Sequence, residues 1–450
     1  MEKKYLKWYN KVGYGSGDIA GNVVYAFLSS FVMIFLTDTI GLSSGIVGTL
    51  MMVSKLFDGI TDVFFGAMID KTCTKMGKAR PWMLWAYFGC AAMIIAIFAI
   101  PAELGVFAQY AWFFIAYTAL NAVFYTANNI AYSALTALIT KNGTERVQMG
   151  SIRFIFAFST SMLIQIITVD AVEWFGGGAQ GWRAVAIIYA LIGLAVNTIS
   201  ALSVKELPEE NHCDSVLASS ENYSLRDAAK LLAANKYYIM ICCVYILTQI
   251  FTATLNMGIF FTTYILHDAS LLGSFSVAIN APMIAGLLFT PYLVKKCRGI
   301  YKLNLVGYTL ATVARAGVLA AGYMHNLPLM LVCSGIASIG MSPLQGDLNA
   351  LIAACSEYTY LTKKKRIDGT MFSCTSLGVK IGGGIGTALA GWLLDASGYV
   401  ANAAVQPESC INMLYVMYLW IPMIINLVIT VLLSRLKVEQ ANERAALEIR

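Results

Sequence analysis

The chain has 450 residues, 58% of them hydrophobic and 12% charged, with a mean hydropathy of +0.68. That balance excludes a soluble domain of this length and predicts a polytopic membrane protein. The formal net charge of +6 requires no nucleic-acid partner, because the basic residues fall in the connections between apolar runs, where short cytoplasmic loops collect them.

The N-terminal MEKKYLKWYNK has no apolar core followed by a small-residue cleavage site, so no removable signal peptide is expected. Runs long enough to cross about 30 Å of hydrocarbon at 1.5 Å per residue then recur along the whole chain. They cover approximately 20–38, 44–66, 82–101, 107–139, 151–169, 183–203, 238–266, 271–294, 303–322, 327–354, 369–394 and 412–434. The expectation is an all-α membrane protein of twelve transmembrane helices in two six-helix halves, 1–204 and 237–436. A cytoplasmic linker, 205–236, joins them and a cytoplasmic tail, 437–450, follows.

Orientation comes from the loops. One side carries Lys3, Lys4, Lys7 and Lys11, then Lys71 to Arg80, Lys141 and Arg146, Lys205 to Lys236, Lys295 to Lys302, Lys363 to Arg366, and Arg435 with Lys437. The other carries only Arg183. Both termini are therefore expected in the cytoplasm, with the protein integral to a bacterial inner membrane.

In the first span GYGSGDIAGN places Asp18 and Asn22 one turn apart among Gly13, Gly15, Gly17 and Gly21. Asp18 is suited to accept hydrogen bonds from hydroxyls, and equally to pair with an N-terminal lysine. The second span, LMMVSKLFDGITDVFFGAM, puts Lys55, Asp58, Thr61 and Asp62 on one helix face. An uncompensated carboxylate at membrane depth costs at least about 2.5 to 3.5 kcal/mol on insertion scales. Lys55 offsets one of the two charges, and a sodium ion or a proton would offset the other, so the face reads as a coupling-ion site made of hard oxygen ligands. If the ion is sodium, Asp58 and Asp62 are its anionic ligands. The competing reading is a static Lys55–Asp58 pair with Asp62 protonated.

The loop after the second span, GAMIDKTCTKMGKARPW, has a counterpart after the eighth, GLLFTPYLVKKCRGIYKL. Gly77 and Gly299, and likewise Arg80 and Lys302, stand 222 positions apart, as two related halves would place them. In the fourth span, NAVFYTANNIAYSAL, Thr126, Asn129 and Ser133 share a face. Such amides and hydroxyls recognise hydroxyl-rich ligands or glue helices together, at about 0.6 kcal/mol per contact. Asn121 and Asn128 belong to the glue. Tyr125 and Tyr132 stand in the same neighbourhood and could stack on a sugar ring.

Arg153 opens the fifth span, where it could contact a ligand or snorkel to the interface. The linker offers Ser224 as a helix cap. In the eleventh span Thr375 and Ser376 precede Lys380 by about a turn, and the Gly378, Gly382, Gly386 series allows close helix contact in a tight or a moving interface. The ten scattered cysteines suggest neither a disulfide framework nor a zinc site. No phosphate-binding G-x-x-x-x-G-K-[ST] occurs and no histidine lies in a span, so an ATP-driven pump and a histidine relay are not expected. Energy would come from an ion gradient, where one charge crossing 100 mV supplies about 2.3 kcal/mol.

Five segments in order, GYGSGD, FLTDTIGL, FDGITD, DKTCTKMGKARPW and GVKIGGGIGTALAGWLLDASGY, make the chain resemble the glycoside-pentoside-hexuronide:cation symporter family, a branch of the major facilitator fold. The resemblance covers nearly the whole chain. It implies cation-coupled uptake of a sugar or glycoside by alternating access, with no cofactor besides the coupling ion, sodium or proton. It also implies a cation site at Asp58, Thr61, Asp62 and Thr126, and a sugar site at Asp18, Asn129, Arg153, Thr375, Ser376 and Lys380. The chain departs from the family pattern at Thr61, Val63, Asn129, Ala131 and Ser133.

Two other classes compete. A lipid or lysolipid carrier on the same fold would not need Asn129, and it is told apart by transport of a lipid instead of a soluble sugar. An intramembrane prenyltransferase would use Asp58 and Asp62, with Asp70 following, but no other span carries the second acidic motif it needs.

Overall fold

The computed structural model describes residues 4–448 apart from 102, 141–142, 208–231, 298, 364–367 and 404. Most of the linker, with Ser224, lies outside the described residues, as does the side chain of Ser376. The described chain is almost entirely helical, with one isolated bridge, Thr74 to Gly77, and no named strand. Ten of the described helices are long and apolar enough to cross a membrane. Two more, α3 (Ser44–Asp70) and α14 (Asp368–Ala396), match spans expected from the sequence, and α3 is made less apolar by Lys55, Asp58 and Asp62.

The chain clusters into two compact units. The first comprises 1–218, 262–273 and 387–410; the second comprises 219–261, 274–386 and 411–450. In the first, α1 (Trp8–Gly15) leads into α2 (Gly17–Ile34), which packs on α7 (Gly143–Trp174) and α8 (Gly178–Ser203). Both α3 and α4 (Arg80–Phe98) pack on α6 (Thr126–Leu138), and α3 also meets α5 (Val106–Thr118). Apolar rings fill the centre: Phe27 stacks on Phe98 at 4.4 Å, and Phe98 on Trp182 at 5.9 Å. Such pairs add about 0.5 to 1.5 kcal/mol each beyond their burial.

Glycines of GYGSGD fit this packing directly. A Cβ at Gly13 would lie 2.6 Å from Ser203, at Gly15 2.5 Å from Ile152, and at Gly17 2.7 Å from Ser200 Oγ. Bare backbone therefore lets the end of α1 and the start of α2 approach α7 and α8 closely.

The second unit contains α9 (Lys236–Leu255), α10 (Gly258–Tyr264, shared with the first unit from Thr262), α11 (Leu271–Cys297, from Ser274), α12 (Ile300–Tyr323) and α13 (Leu327–Lys363). It is completed by most of α14, by α15 (Glu408–Tyr415, from Ile411), α16 (Ile421–Arg435) and α17 (Val438–Glu448). Here α12 packs on α13 and α16. Gly382 and Gly386 of α14 would bring a Cβ within 3.0 and 2.9 Å of the α9 backbone at Ile246 and Ile250, whereas Gly378 faces open space.

Each unit repeats one device. Gly77, at φ +112°, precedes α4, and Glu206 accepts from the Lys78, Ala79 and Arg80 amides at 2.7, 2.9 and 3.0 Å. Gly299, at φ +148°, precedes α12, and Glu439 accepts from the Ile300 and Tyr301 amides at 3.2 and 3.1 Å. A carboxylate late in each half thus caps a helix begun by a glycine at positive φ, where side chains are disfavoured and exposed N–H groups seek an anion.

Among the described residues, three π-helical segments interrupt the spans: Phe35–Ile40, Ala119–Tyr125 and Val416–Trp420. Cys73, in the turn after α3, is disulfide-bonded. Cys90, Cys242, Cys243, Cys333, Cys355 and Cys410 are free.

Candidate functional site

The acidic face of α3 is turned away from its apolar face. Phe57, Ile60 and Phe64, spaced i, i+3, i+7, are 47%, 69% and 59% exposed, while Lys55, Asp58, Thr61 and Asp62 are half-buried. A spanning helix in lipid is expected to divide its residues in this way.

Asp58 Oδ1 accepts a short hydrogen bond from Thr126 Oγ1 at the start of α6. The same hydroxyl lies 2.8 Å from the Asn121 carbonyl, which also accepts from the Thr126 amide as the π-helical segment closes. A hydroxyl carries one hydrogen. If it swings to Asn121, a lone pair is freed beside Asp58 for a cation. Thr61 spends its hydrogen on the Phe57 and Asp58 carbonyls of its own helix, at 3.2 and 3.1 Å, which leaves its lone pairs available. Lys55 stands with its ammonium 5.9 Å from the Tyr25 ring centroid of α2. Two carboxylates four residues apart, two hydroxyls and a lysine are the hard oxygen donors and the counter-charge that a monovalent cation or proton site requires.

In the same unit a second cluster forms where α2 begins. Arg153 Nε donates to Asp18 Oδ2 at 2.6 Å, its Nη2 to Oδ1 at 3.5 Å, and the Tyr132 hydroxyl donates to Oδ2 at 3.0 Å. The guanidinium carbon lies 4.1 Å from the Tyr132 ring centroid. Tyr14 locks the arrangement from behind, its hydroxyl 2.6 Å from both the Tyr132 carbonyl and Thr136 Oγ1. Arg153 is thus an ion-pair partner of Asp18, with side chains 23% and 17% exposed, and both retain donor and acceptor capacity toward a ligand. Asp18 in the first turn of α2 also faces the positive end of that helix.

On α6, Asn129 and Ser133 are exposed on the face that Thr126 begins. Asn128 is buried and donates to the Met83 carbonyl at 2.6 Å and to Asn197 Oδ1 at 3.1 Å, and Asn197 donates to the same carbonyl at 2.9 Å. Asn121 donates to Tyr117 O. Asn128 and Asn197 bind helices together, whereas Asn121, expected to do the same, bonds back to the preceding turn of its own helix. Lys380 and Thr375 lie in the second unit. Lys380 is half-buried; Thr375 is 3% exposed, its hydroxyl held by the Met371 carbonyl at 2.8 Å and the Tyr238 hydroxyl at 3.2 Å.

No role was legible in the sequence for Tyr14, although it lies in GYGSGD, or for Asp38, although it lies in FLTDTIGL at the end of the first span. Tyr264 donates to Asp38 Oδ2 at 2.5 Å, Tyr399 donates to Oδ1, and Asn402 donates to its backbone carbonyl. Ser43 Oγ donates to Asp395 at 2.8 Å nearby. Burial and the adjacent Asp38 charge push the Tyr399 phenol far above the usual tyrosine range, so it stays a donor.

Residues 13–440 match the family described as MFS/sugar transport protein. The chain is 28% identical over 429 residues to the isoprimeverose transporter of Lactiplantibacillus pentosus, covering 94% of this chain and 87% of that one. It is 26% identical over 445 residues to a putative glycoside/cation symporter of Escherichia coli (strain K12), covering 97% and 93%. Among solved structures, a bacterial homologue of the human lysosomal transporter Spinster superposes with a TM-score of 0.68 at 13% identity, over 97% of each chain, a likeness of fold.

Proposed function

Because this chain belongs to the MFS/sugar transport family, we propose that it carries a glycoside, pentoside, hexuronide or short oligosaccharide across a bacterial inner membrane in symport with sodium or a proton. The protein is an integral membrane transporter of the major facilitator fold and not an enzyme. The observation that carries the coupled mechanism is the Asp58–Thr126 contact beside Thr61, Asp62 and Lys55, in the same unit as the Asp18–Arg153–Tyr132 cluster.

The cation binds the excess acid of α3 and fixes α3 against α6. Asn129 and Ser133 extend from Thr126 along α6 toward the sugar, with Asp18 and Arg153 contributing from α2 and α7. Cation and sugar then favour one another by linkage, and the gradient of one drives the other. Both termini face the cytoplasm by the distribution of basic loops.

The prenyltransferase reading falls with the family assignment. The relatives' names give a lipid carrier no support. Uptake of a radiolabelled panel of glycosides, pentosides, hexuronides and a lysolipid into proteoliposomes tests the substrate class. Accumulation of one or more sugars under a sodium or proton gradient is the expected result. Uptake of the lysolipid alone would overturn it.

A further inference from the structure

We propose that the second unit holds a small monovalent inorganic anion, of chloride's size and charge, against Arg315. Arg315 lies in α12, in the middle of an expected span, and carries the same sequence signal as Arg153 and Lys380: a cation inside an apolar run. Yet it is only 3% exposed, and neither Nε nor Nη2 has a hydrogen-bond partner. The guanidinium carbon stands 5.0 Å from the Phe251 ring centroid of α9, and the electrostatic neighbours that register on it are Tyr308 of α12 and Tyr418 of the π-helical segment Val416–Trp420. Arginine does not shed its proton in a protein, so burial cannot neutralise it. A ring face attracts the cation but satisfies none of its N–H groups.

Polar groups line the seam beside it. Tyr308 lies two turns before Arg315 on the same face of α12, its hydroxyl beside Thr248 of α9 and its ring near enough to act on the guanidinium. Across from them on α16, Asn426 is fully buried, its Oδ1 unpartnered and its Nδ2 3.6 Å from Met341 Sδ. Thr430 Oγ1 reaches Thr312 Oγ1 at 2.9 Å and the Tyr308 carbonyl at 3.2 Å, tying α12 to α16 along this seam. A buried guanidinium with unpartnered Nε and Nη2 donors marks a place that an acceptor would fill. Water would satisfy the hydrogen bonds and leave the charge; an anion supplies both. The near-complete burial of Arg315 fits a small ion held as part of the structure better than a sugar that must come and go.

The test is thermal unfolding of the purified full-length protein in detergent, with chloride replaced by gluconate at constant sodium and ionic strength. As chloride rises from zero to about 100 mM, the wild-type Tm is expected to climb by about 2 to 4 °C and level off. Arg315→Met should lose that response, and Tyr418→Phe should keep it. Should Arg315→Met fail to fold, excess broadening of the chloride-35 resonance by the wild-type protein, reversed by bromide, decides the matter. A wild-type Tm indifferent to chloride together with no excess broadening would overturn the proposal, as would an Arg315→Met variant that still responds to chloride.

Discussion

Thr126 and Tyr132 lie two turns apart on α6 and support different clusters. Removing the Thr126 hydroxyl takes one donor from Asp58 and, in the proposed mechanism, one ligand from the cation. A hydrogen bond to a charged group contributes about 1.5 to 3 kcal/mol, which makes roughly a 10- to 100-fold change. Thr126→Val should therefore weaken the coupling cation by about that factor, read as the cation concentration for half-maximal uptake, with the maximal rate less affected. Tyr132→Phe removes the donor to Asp18 and to the Tyr14 carbonyl while keeping the ring under Arg153. It should raise the KM for sugar about 5- to 10-fold, the weight of one buried hydrogen bond, and leave the half-maximal cation concentration unchanged. A shift in both constants would mean that the two clusters are not separate.

Glu145 is a residue-scale device outside the spans. Burial opposes its ionisation, but Thr140, the Leu6 and Tyr5 amides and Lys11 all stabilise the carboxylate and hold it below the usual glutamate range. Its stabilising effect is present above the ordinary glutamate pKa and is lost as pH falls through the depressed folded value. Wild type should therefore exceed Glu145→Gln in Tm at neutral pH, and the gap should close on acidification. A gap that widens in acid would contradict the assignment.

At the scale of elements, the face of α3 was legible because helical spacing alone gathers Lys55, Asp58, Thr61 and Asp62. What was not legible is the π-helical segment Ala119–Tyr125 that delivers Thr126 and its accepting carbonyl, since such a turn depends on packing against neighbours and leaves no local motif. The same applies to Asp38 in Phe35–Ile40 and Tyr418 in Val416–Trp420. The pairing of Gly77 with Gly299 could be read from their spacing. Their partners, Glu206 and Glu439, could not, because each reaches its helix from more than 120 residues away. Gly77→Ala would force a Cβ to 2.3 Å from the Glu206 carboxyl at a φ that disfavours side chains, whereas at Gly299 the nearest Glu439 atom is 3.2 Å away. Backbone strain of this kind costs on the order of 1 to 3 kcal/mol. Both alanine variants should melt below wild type, Gly77→Ala the further of the two.

For the whole molecule, apolar runs and loop charges were enough to read the class of fold, because a bilayer leaves a spanning chain few options. The allocation of chain to compact units was less accessible. Residues 262–273 and 387–410 cluster with the first unit, through contacts such as Asp38 with Tyr264 and Tyr399 that no periodicity encodes. Lys380 was legible as a cation inside an apolar span. Arg315, with an equal signal, became informative only once its neighbours were known.

The central claim is that the acids of α3 hold the ion whose gradient drives the sugar. It is tested most directly by sugar accumulation in proteoliposomes under separately imposed sodium and proton gradients, for wild type, Asp58→Asn and Asp62→Asn. The account predicts that wild type concentrates sugar under one of the two gradients, and that both variants lose concentrative uptake by at least about tenfold, the effect of a single lost interaction of about 1.4 kcal/mol or more. Variants that still accumulate sugar as wild type does, under the same gradient, would contradict it.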